Sequence, residues 1–176
     1  MSERLWLFTR NVAMIILFPG IVTAYVPYRL LAPVAVPNPA LWSVPQYAAT
    51  LVLIVGVAVL MASIWSFAHE GRGTLAPFDE TKTLIVAGLY RYVRNPMYIA
   101  VMMILLAESW FFWSSRLLIY TGICFVAANL FVMGYEENRL RYKYGDAYRR
   151  YCAQVGRWIP RRPRLRGQAE RGNPDV

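Results

Sequence analysis

The chain has 176 residues, 57% of them hydrophobic, with a mean hydropathy of +0.34. That is too apolar for a soluble domain of this length and natural for a small polytopic membrane protein. Its formal charge of +9 comes with no nucleic-acid motif, and contact with anionic lipid headgroups accounts for it. One histidine and two cysteines without ligand spacing exclude a legible metal site, and no Gly-rich phosphate loop follows a strand, which excludes a Rossmann-type nucleotide site.

In chain order, residues 11–28 carry no charge and predict a first membrane span, since crossing a bilayer core takes roughly 17–25 apolar residues. The start, Met1–Arg4 followed by an apolar run, superficially resembles a signal peptide, but no small-residue cleavage site is evident and the run is expected to be retained. Pro27, Pro33, Pro37, Pro39 and Pro45 predict an irregular connection to a second span over 45–68, which ends at the turn Gly71-Arg72-Gly73-Thr74. The loop from Glu70 to Asn95 is non-helical in pattern, with Leu84-Ile85-Val86 as an apolar patch able to tuck under the bundle. Met97–Trp113, shorter and interrupted by Glu108, predicts a third span, and residues 117–135 a fourth. Beyond it Leu140, Tyr144, Tyr148, Tyr151 and Val155 recur at helical intervals with arginines between them, which predicts an amphipathic helix bent or broken at Gly145. The fold class expected is therefore all-α integral membrane protein, with about four transmembrane helices plus a cytoplasmic amphipathic helix. Residues 1–160 form one domain, and 161–176 a basic mobile tail.

The basic residues set the topology. They lie before the first span, between the second and third, and after the fourth, with only Arg29 and Arg116 outside those segments. The positive-inside rule then puts both termini in the cytoplasm, and the protein is expected in a bacterial inner membrane. Trp42, Trp110 and Trp113 fall at the outer interface, and Trp6, Trp65 and Trp158 at the inner one.

The chemistry is expected at Gly88–Tyr98, where an arginine-bearing segment ends in Asn95-Pro96 and runs into an apolar helix. Asn95 is expected to cap that helix and Pro96 to occupy its first turn, leaving backbone N–H groups and a positive helix end for a carboxylate or phosphate. Glu136-Glu137 closes the fourth span, where an acid needs water, a cation or a ligand. Adjacent helix positions point about 100° apart, so one acid is expected to meet the ligand and the other Arg94 or a tail arginine. Acids, tyrosines and a positive helix end suit a zwitterion. Glu108, the acid well inside an apolar run, is a functional candidate by default with Arg116 as its candidate partner, but its depth toward the outer side favours a structural or outer-interface role; His69 is read as an interfacial residue.

Gly88–Tyr98, Glu136-Glu137, Tyr144-Gly145-Asp146-Ala147-Tyr148 and Val155-Gly156-Arg157-Trp158-Ile159-Pro160 follow in the order seen in the isoprenylcysteine carboxyl methyltransferase family. Over roughly Gly71–Pro160 the chain resembles that family's bacterial members and the related phospholipid methyltransferases. The resemblance implies an integral membrane methyltransferase binding S-adenosylmethionine at the cytoplasmic face, within about 71–160. It implies cofactor contacts from Leu84, Ile85, Tyr90, Asn95, Pro96, Met97, Tyr98 and Glu136. Two positions depart from the pattern: Asn95 stands where histidine is frequent, and Val132 where prenylcysteine-specific members carry an arginine. Arg94 is the candidate for holding an anionic acceptor and Glu137 for orienting it, a salt bridge between the two being the structural alternative. The partners expected are membrane lipids and a lipophilic or small methyl acceptor, with no metal and no nucleic acid. An NADPH-dependent membrane reductase of the sterol-reductase type and a non-catalytic lipid-binding scaffold are the rival readings.

Overall fold

The computed structural model describes residues 19–31, 38–70, 84 and 86–161. Within them the architecture is helical, and the one β-type pairing is a parallel bridge between Val93 and Gly156. Ile85, the side chains of residues 67–70 and the tail beyond Arg161 lie outside the described residues, as does most of the predicted first span.

A widened π-type turn, Ile21–Tyr25, leads into α1 (Val26–Leu31). Pro27 near the start of α1 offers no N–H to the preceding turn, and a widened turn accommodates its ring. After a 3-10 turn at Pro39–Leu41 comes α2 (Val44–Glu70). At its start the Ser43 backbone N–H donates to Gln46 Oε1 at 3.0 Å, and the Gln46 N–H to Ser43 O at 3.0 Å. A 3-10 turn at Gly88–Arg91 precedes α3 (Pro96–Phe111), and a tight turn joins α3 to α4 (Ser115–Phe131). There Trp113 adopts φ 49°, and Ser114 accepts from the Leu117 N–H to begin α4. A second π-type turn, Val132–Glu136, runs without interruption into α5 (Glu137–Gln154).

The helices α2 and α3 make the most extensive contact, with Leu60, Ala100 and Ile104 at its centre and Leu53, Val59, Ile64, Met97 and Val101 around them. Gly56 permits the close approach, since a side chain there would press on Ile104 and Met103. Between α3 and α4 the contact carries a polar pair, Ser109 Oγ 3.3 Å from Thr121 Oγ1, with each hydroxyl also donating to a carbonyl of its own helix.

Among the described residues two helical runs are long and apolar enough to cross a membrane: Val44–Ser66, with hydropathy 2.4, and the run beginning at Ser115, with hydropathy 2.0. Their outward faces carry exposed Leu51, Ile54, Leu118, Ile119, Ile123 and Leu130. The helix α3 is shorter, its 16 residues spanning about 24 Å at about 1.5 Å per residue. The helix α5 buries Glu137, Tyr148 and Tyr151 and exposes Tyr142, Asp146 and Arg149. Its kink falls at Gly145 (φ 49°, ψ −123°), a backbone position that disfavours a side chain.

Candidate functional site

The start of α3, the end of α4 and the segment after α5 meet at one end of the bundle. The segment Val155–Arg161 acts as a strap: the Arg94 N–H donates to Gly156 O at 2.9 Å, and the Arg161 N–H to Tyr92 O at 2.8 Å. Gly156 is required, because a side chain there would collide with Ile159 O. Beneath the strap Tyr148, Tyr151 and Val155 form a core with Leu84, Leu140, Tyr144 and Cys152, and Tyr151 Oη donates to Tyr90 O at 2.7 Å. Gly88, at φ +53°, begins the Tyr90 turn against Ser66 of α2.

Glu136 and Glu137 diverge as adjacent helix positions must. Glu136 is partly buried and accepts from Tyr98 Oη at 3.3 Å, across 38 positions of sequence. Burial pushes its carboxyl above the ordinary range; the Tyr98 hydroxyl opposes this and the neighbouring Glu137 charge adds to it. Burial also raises the Tyr90 hydroxyl, helped by the charge of Glu136, so this tyrosine stays protonated.

Glu137 is 4% exposed and gathers three arginines. Arg157 grips it bidentately, Nε to Oε1 at 2.6 Å and Nη2 to Oε2 at 2.8 Å. Arg94 Nη1 stands 3.0 Å from Oε1, and Arg141 Nη2 3.6 Å from Oε2. Burial acts to raise the Glu137 carboxyl, but the Arg157 hydrogen bonds and the charges of Arg94, Arg157 and Arg141 outweigh it and leave the group below its ordinary value. Arg94 also donates to Cys152 Sγ at 2.8 Å, while its Nε is buried without a partner.

The expected cap at Asn95 is not formed. Its side chain makes no capping hydrogen bond, and Nδ2 donates instead to Arg157 O at 3.3 Å. The strap brings the part-buried carbonyl of Arg157 to Asn95, and the amide turns to it rather than to its own helix. Pro96 holds the first helical position, and the N–H groups of Met97 and Tyr98 have no intrahelical acceptor in that turn. The Met97 side chain packs into the α2–α3 core, and Leu84 into the tyrosine core under the strap. Tyr90, Tyr98 and Glu136 are thus drawn together, Arg94 and Glu137 are bound to each other, and Ile85 lies outside the described residues. The candidate Glu108–Arg116 pair is absent among the described ion pairs, and Glu108 Oε2 is buried without a hydrogen-bond partner. Glu108 is partly buried on α3, whereas Arg116 is exposed at the start of α4. Among the described residues no group of three or more His, Cys, Asp or Glu is placed to hold a metal ion.

Three residues of this end carried no assigned chemical role in the sequence. Arg157 is the bidentate partner of Glu137. Trp158, read as an interface anchor, sets its ring edge-on to Tyr98 with centroids 6.3 Å apart, and 6.0 Å from the ring of Phe125. Asn129 accepts from Trp158 Nε1 at 3.0 Å. An amide inside an otherwise apolar run was the available signal for Asn129. Next to Trp158 a cleft of about 440 Å³ opens between α3 and α4, lined by Ile99, Met102, Leu106, Leu118, Gly122 and Phe125 among others.

A family model described as phospholipid methyltransferase matches residues 44–147, more than half of the chain. The chain belongs to the phospholipid methyltransferase family. The family match covers α2 to α4, the Tyr90 turn, the Tyr98–Glu136 pair and the first part of α5, and stops short of the strap that carries Arg157 and Trp158. A Haemophilus influenzae protein described as uncharacterized is 38% identical over 65 residues, which is 36% of this chain and the whole of that protein. No solved structure matches the chain. Membership makes this a methyltransferase family protein, and its two long apolar helices are compatible with residence in a membrane.

Proposed function

We propose that the chain transfers a methyl group from S-adenosylmethionine to a lipophilic acceptor at a membrane surface. The observation that carries this reading is the Tyr98–Glu136 hydrogen bond, formed beside the free first turn of α3 and next to an apolar cleft. The residues fit a zwitterionic cofactor. Glu136 is a partly buried carboxylate to which the described ion pairs bring no cation, and it suits an ammonium group or a ribose hydroxyl. The first turn of α3 after Pro96 suits a carboxylate, with Met97 and Tyr98 offering backbone N–H groups. Tyr90 lies close enough to Glu136 to feel its charge, and Asn95 ties to the strap through Arg157 O.

When bound, the cofactor supplies a sulfonium methyl that bonds to the acceptor's lone pair as the C–S electrons return to sulfur. Because positive charge is lost from sulfur in that displacement, the protein has no need of a covalent nucleophile. Its tasks are alignment and exclusion of water, and alignment alone accounts for about 7–11 kcal/mol of barrier in well-oriented reactions. Tyr98 orients Glu136 through their hydrogen bond. Arg94 and Glu137 serve as positioning residues in this reading, holding the strap over the site with Arg157.

Four membrane-crossing segments, with both ends and the site on the cytoplasmic face of a bacterial inner membrane, agree with the distribution of Lys and Arg. On that topology α5 lies along the membrane surface, where anionic lipids meet its arginines.

The test is calorimetric titration of the purified protein with S-adenosylhomocysteine and, separately, with NADPH. Saturable binding of the former alone, lost in Glu136→Ala, is the expected result. Binding of NADPH alone refutes the reading in favour of a reductase, and binding of neither refutes it in favour of a scaffold.

A further inference from the structure

The apolar cleft and the Tyr98–Glu136 pair share one wall. Trp158 is the side chain that lines the cleft and also packs edge-on against Tyr98. It arrives on the strap, beside the Arg157 that Glu137 pins in place. Its indole N–H is tied to Asn129 Oδ1, and Asn129 Nδ2 in turn donates to Phe125 O at 2.9 Å, which fixes the orientation of that amide. Phe125 packs on the other side of the indole. The ring is therefore held at three points, by a tether and two aromatic neighbours, where the cleft gives way to polar groups.

The cleft itself is suited to hydrocarbon. Thr121 is its one hydroxyl-bearing residue, and that hydroxyl is already used by Leu117 O and Ser109. The cleft adjoins the face of α4 that exposes Leu118 and Ile123, in a helix apolar enough to lie in a bilayer. A chain entering from the lipid phase meets apolar side chains along the α3–α4 seam until it reaches Trp158.

We propose that Trp158 is a positioning residue that forms the neck between an acyl-chain cleft and the Tyr98–Glu136 site, fixing how far along the seam the polar head of a bilayer phospholipid can sit. This rests on the methyltransferase reading for its purpose, though not for its geometry. The head lies at the Trp158 end and the chain runs toward Leu106 and Leu118. The indole edge sets the register between them, and Asn129 keeps the ring from swinging into the site.

The experiment uses the full chain in lipid nanodiscs containing phosphatidylethanolamine with a photoactivatable diazirine at either the head-proximal or the terminal end of one acyl chain, with the labelled residues mapped by mass spectrometry. In the unaltered protein the head-proximal label is expected on Ile99, Phe125 and Trp158, and the terminal label on Leu106 and Leu118. Trp158→Ala should carry the head-proximal label onward to Tyr98, whereas Trp158→Phe, which keeps a ring at the neck, should restore the original register. Gly122→Leu provides a variant away from the strap, because Gly122 lines the cleft and a side chain there meets nothing within 4 Å. It should remove most labelling at both ends while leaving S-adenosylhomocysteine affinity unchanged. Labelling that ignores Gly122→Leu, a reversed order of the two labels, or an unmoved head-proximal label in Trp158→Ala overturns the proposal. Loss of S-adenosylhomocysteine binding by the unaltered protein, with the labelling pattern intact, instead overturns the methyltransferase reading and leaves the neck standing.

Discussion

Replacing Glu137 by Gln keeps the shape of the side chain and removes its charge, so it isolates what the carboxylate does for the three arginines around it. The Glu137 side chain is 5% exposed, Arg94 12%, Arg157 29% and Arg141 57%. Breaking a buried ion pair by removing one partner costs about 3–5 kcal/mol, mostly because the other charge is left uncompensated. Arg157 can recover some hydration at its exposed edge, but Arg94 cannot, and its Nε already lacks a partner. The lower end of that range, about 3 kcal/mol, is therefore the expected loss, equivalent to about 6–12 °C in Tm for a chain of this size. Arg141→Ala, by contrast, removes an exposed contact at 3.6 Å and should cost no more than about 0.5 kcal/mol. The assay is thermal unfolding in a fixed detergent, followed by near-ultraviolet circular dichroism, with Glu137→Gln, Arg157→Gln and the double variant closing a cycle. A positive coupling energy marks the pair as the clasp of the strap. Equal losses for Glu137→Gln and Arg141→Ala, or an unchanged Tm in Glu137→Gln, would refute the reasoning. An unchanged Tm combined with lost methyl transfer would return Glu137 to the acceptor.

The same cluster gives a pH dependence with a fixed sign. Glu137 sits below its ordinary value despite its burial, because the arginines outweigh that burial. A carboxyl whose folded value is depressed contributes stability that is complete above its unfolded value of about 4.3 and is lost as pH falls through the folded value. Stability of the unaltered protein should therefore decline on acidification below about pH 4, and the decline should be shallower in Glu137→Gln, as a pH series of melts would record.

Glu136→Ala should weaken S-adenosylhomocysteine binding by about 10-fold or more while leaving the melting curve nearly unchanged, as loss of a charge-assisted contact implies, and Tyr98→Phe should weaken it by about 2- to 10-fold. Because burial pushes the Glu136 carboxyl up and its ionised form is the one that pairs with an ammonium group, calorimetric affinity should rise with pH above about 4.3 and then level, a slope that Glu136→Gln should abolish. Gly88→Ala places a side chain at φ +53° against Ser66, and a loss of about 1–2 kcal/mol in thermal unfolding is expected, with no loss meaning that the turn relaxes freely. Asn95→Asp retains a capping side chain but has no N–H for Arg157 O, so it should cost about 1 kcal/mol in the same assay; full stability would restore the cap.

What the sequence made legible were features set by local rules. The uncharged runs 45–68 and 117–135 became α2 and α4 because apolar length is read residue by residue, and Gly145 marked a kink because its φ is open to glycine and little else. The divergence of Glu136 and Glu137 followed from helix geometry alone. Missed features depended on the strap, which returns from the far end of the chain. Asn95 has every property of a cap, and only the nearby carbonyl of Arg157 draws it away. Trp158 fits an aromatic belt by position, and only the fold sets its ring beside Tyr98. Nothing in the spacing of Asn129 foretold that it would receive an indole N–H.

The two acids divide one local problem between them. Two carboxylates at the end of an apolar helix are costly unless each finds a partner. Glu137 finds its partners within the fold, three arginines, and in taking them it leaves none of these cations for Glu136. Glu136 is left with a tyrosine hydroxyl, a raised carboxyl and a position beside the first turn of α3. Among the described residues no ion pair supplies Glu136 with a positive charge, and in the proposed reading the bound cofactor supplies it. Satisfying one acid completely thus poises the other, and the strap that satisfies it also delivers Trp158 to the mouth of the apolar cleft. Cutting the Arg157–Glu137 clasp should consequently disturb cofactor affinity and cleft occupancy together, whereas altering Gly122 should touch the cleft alone.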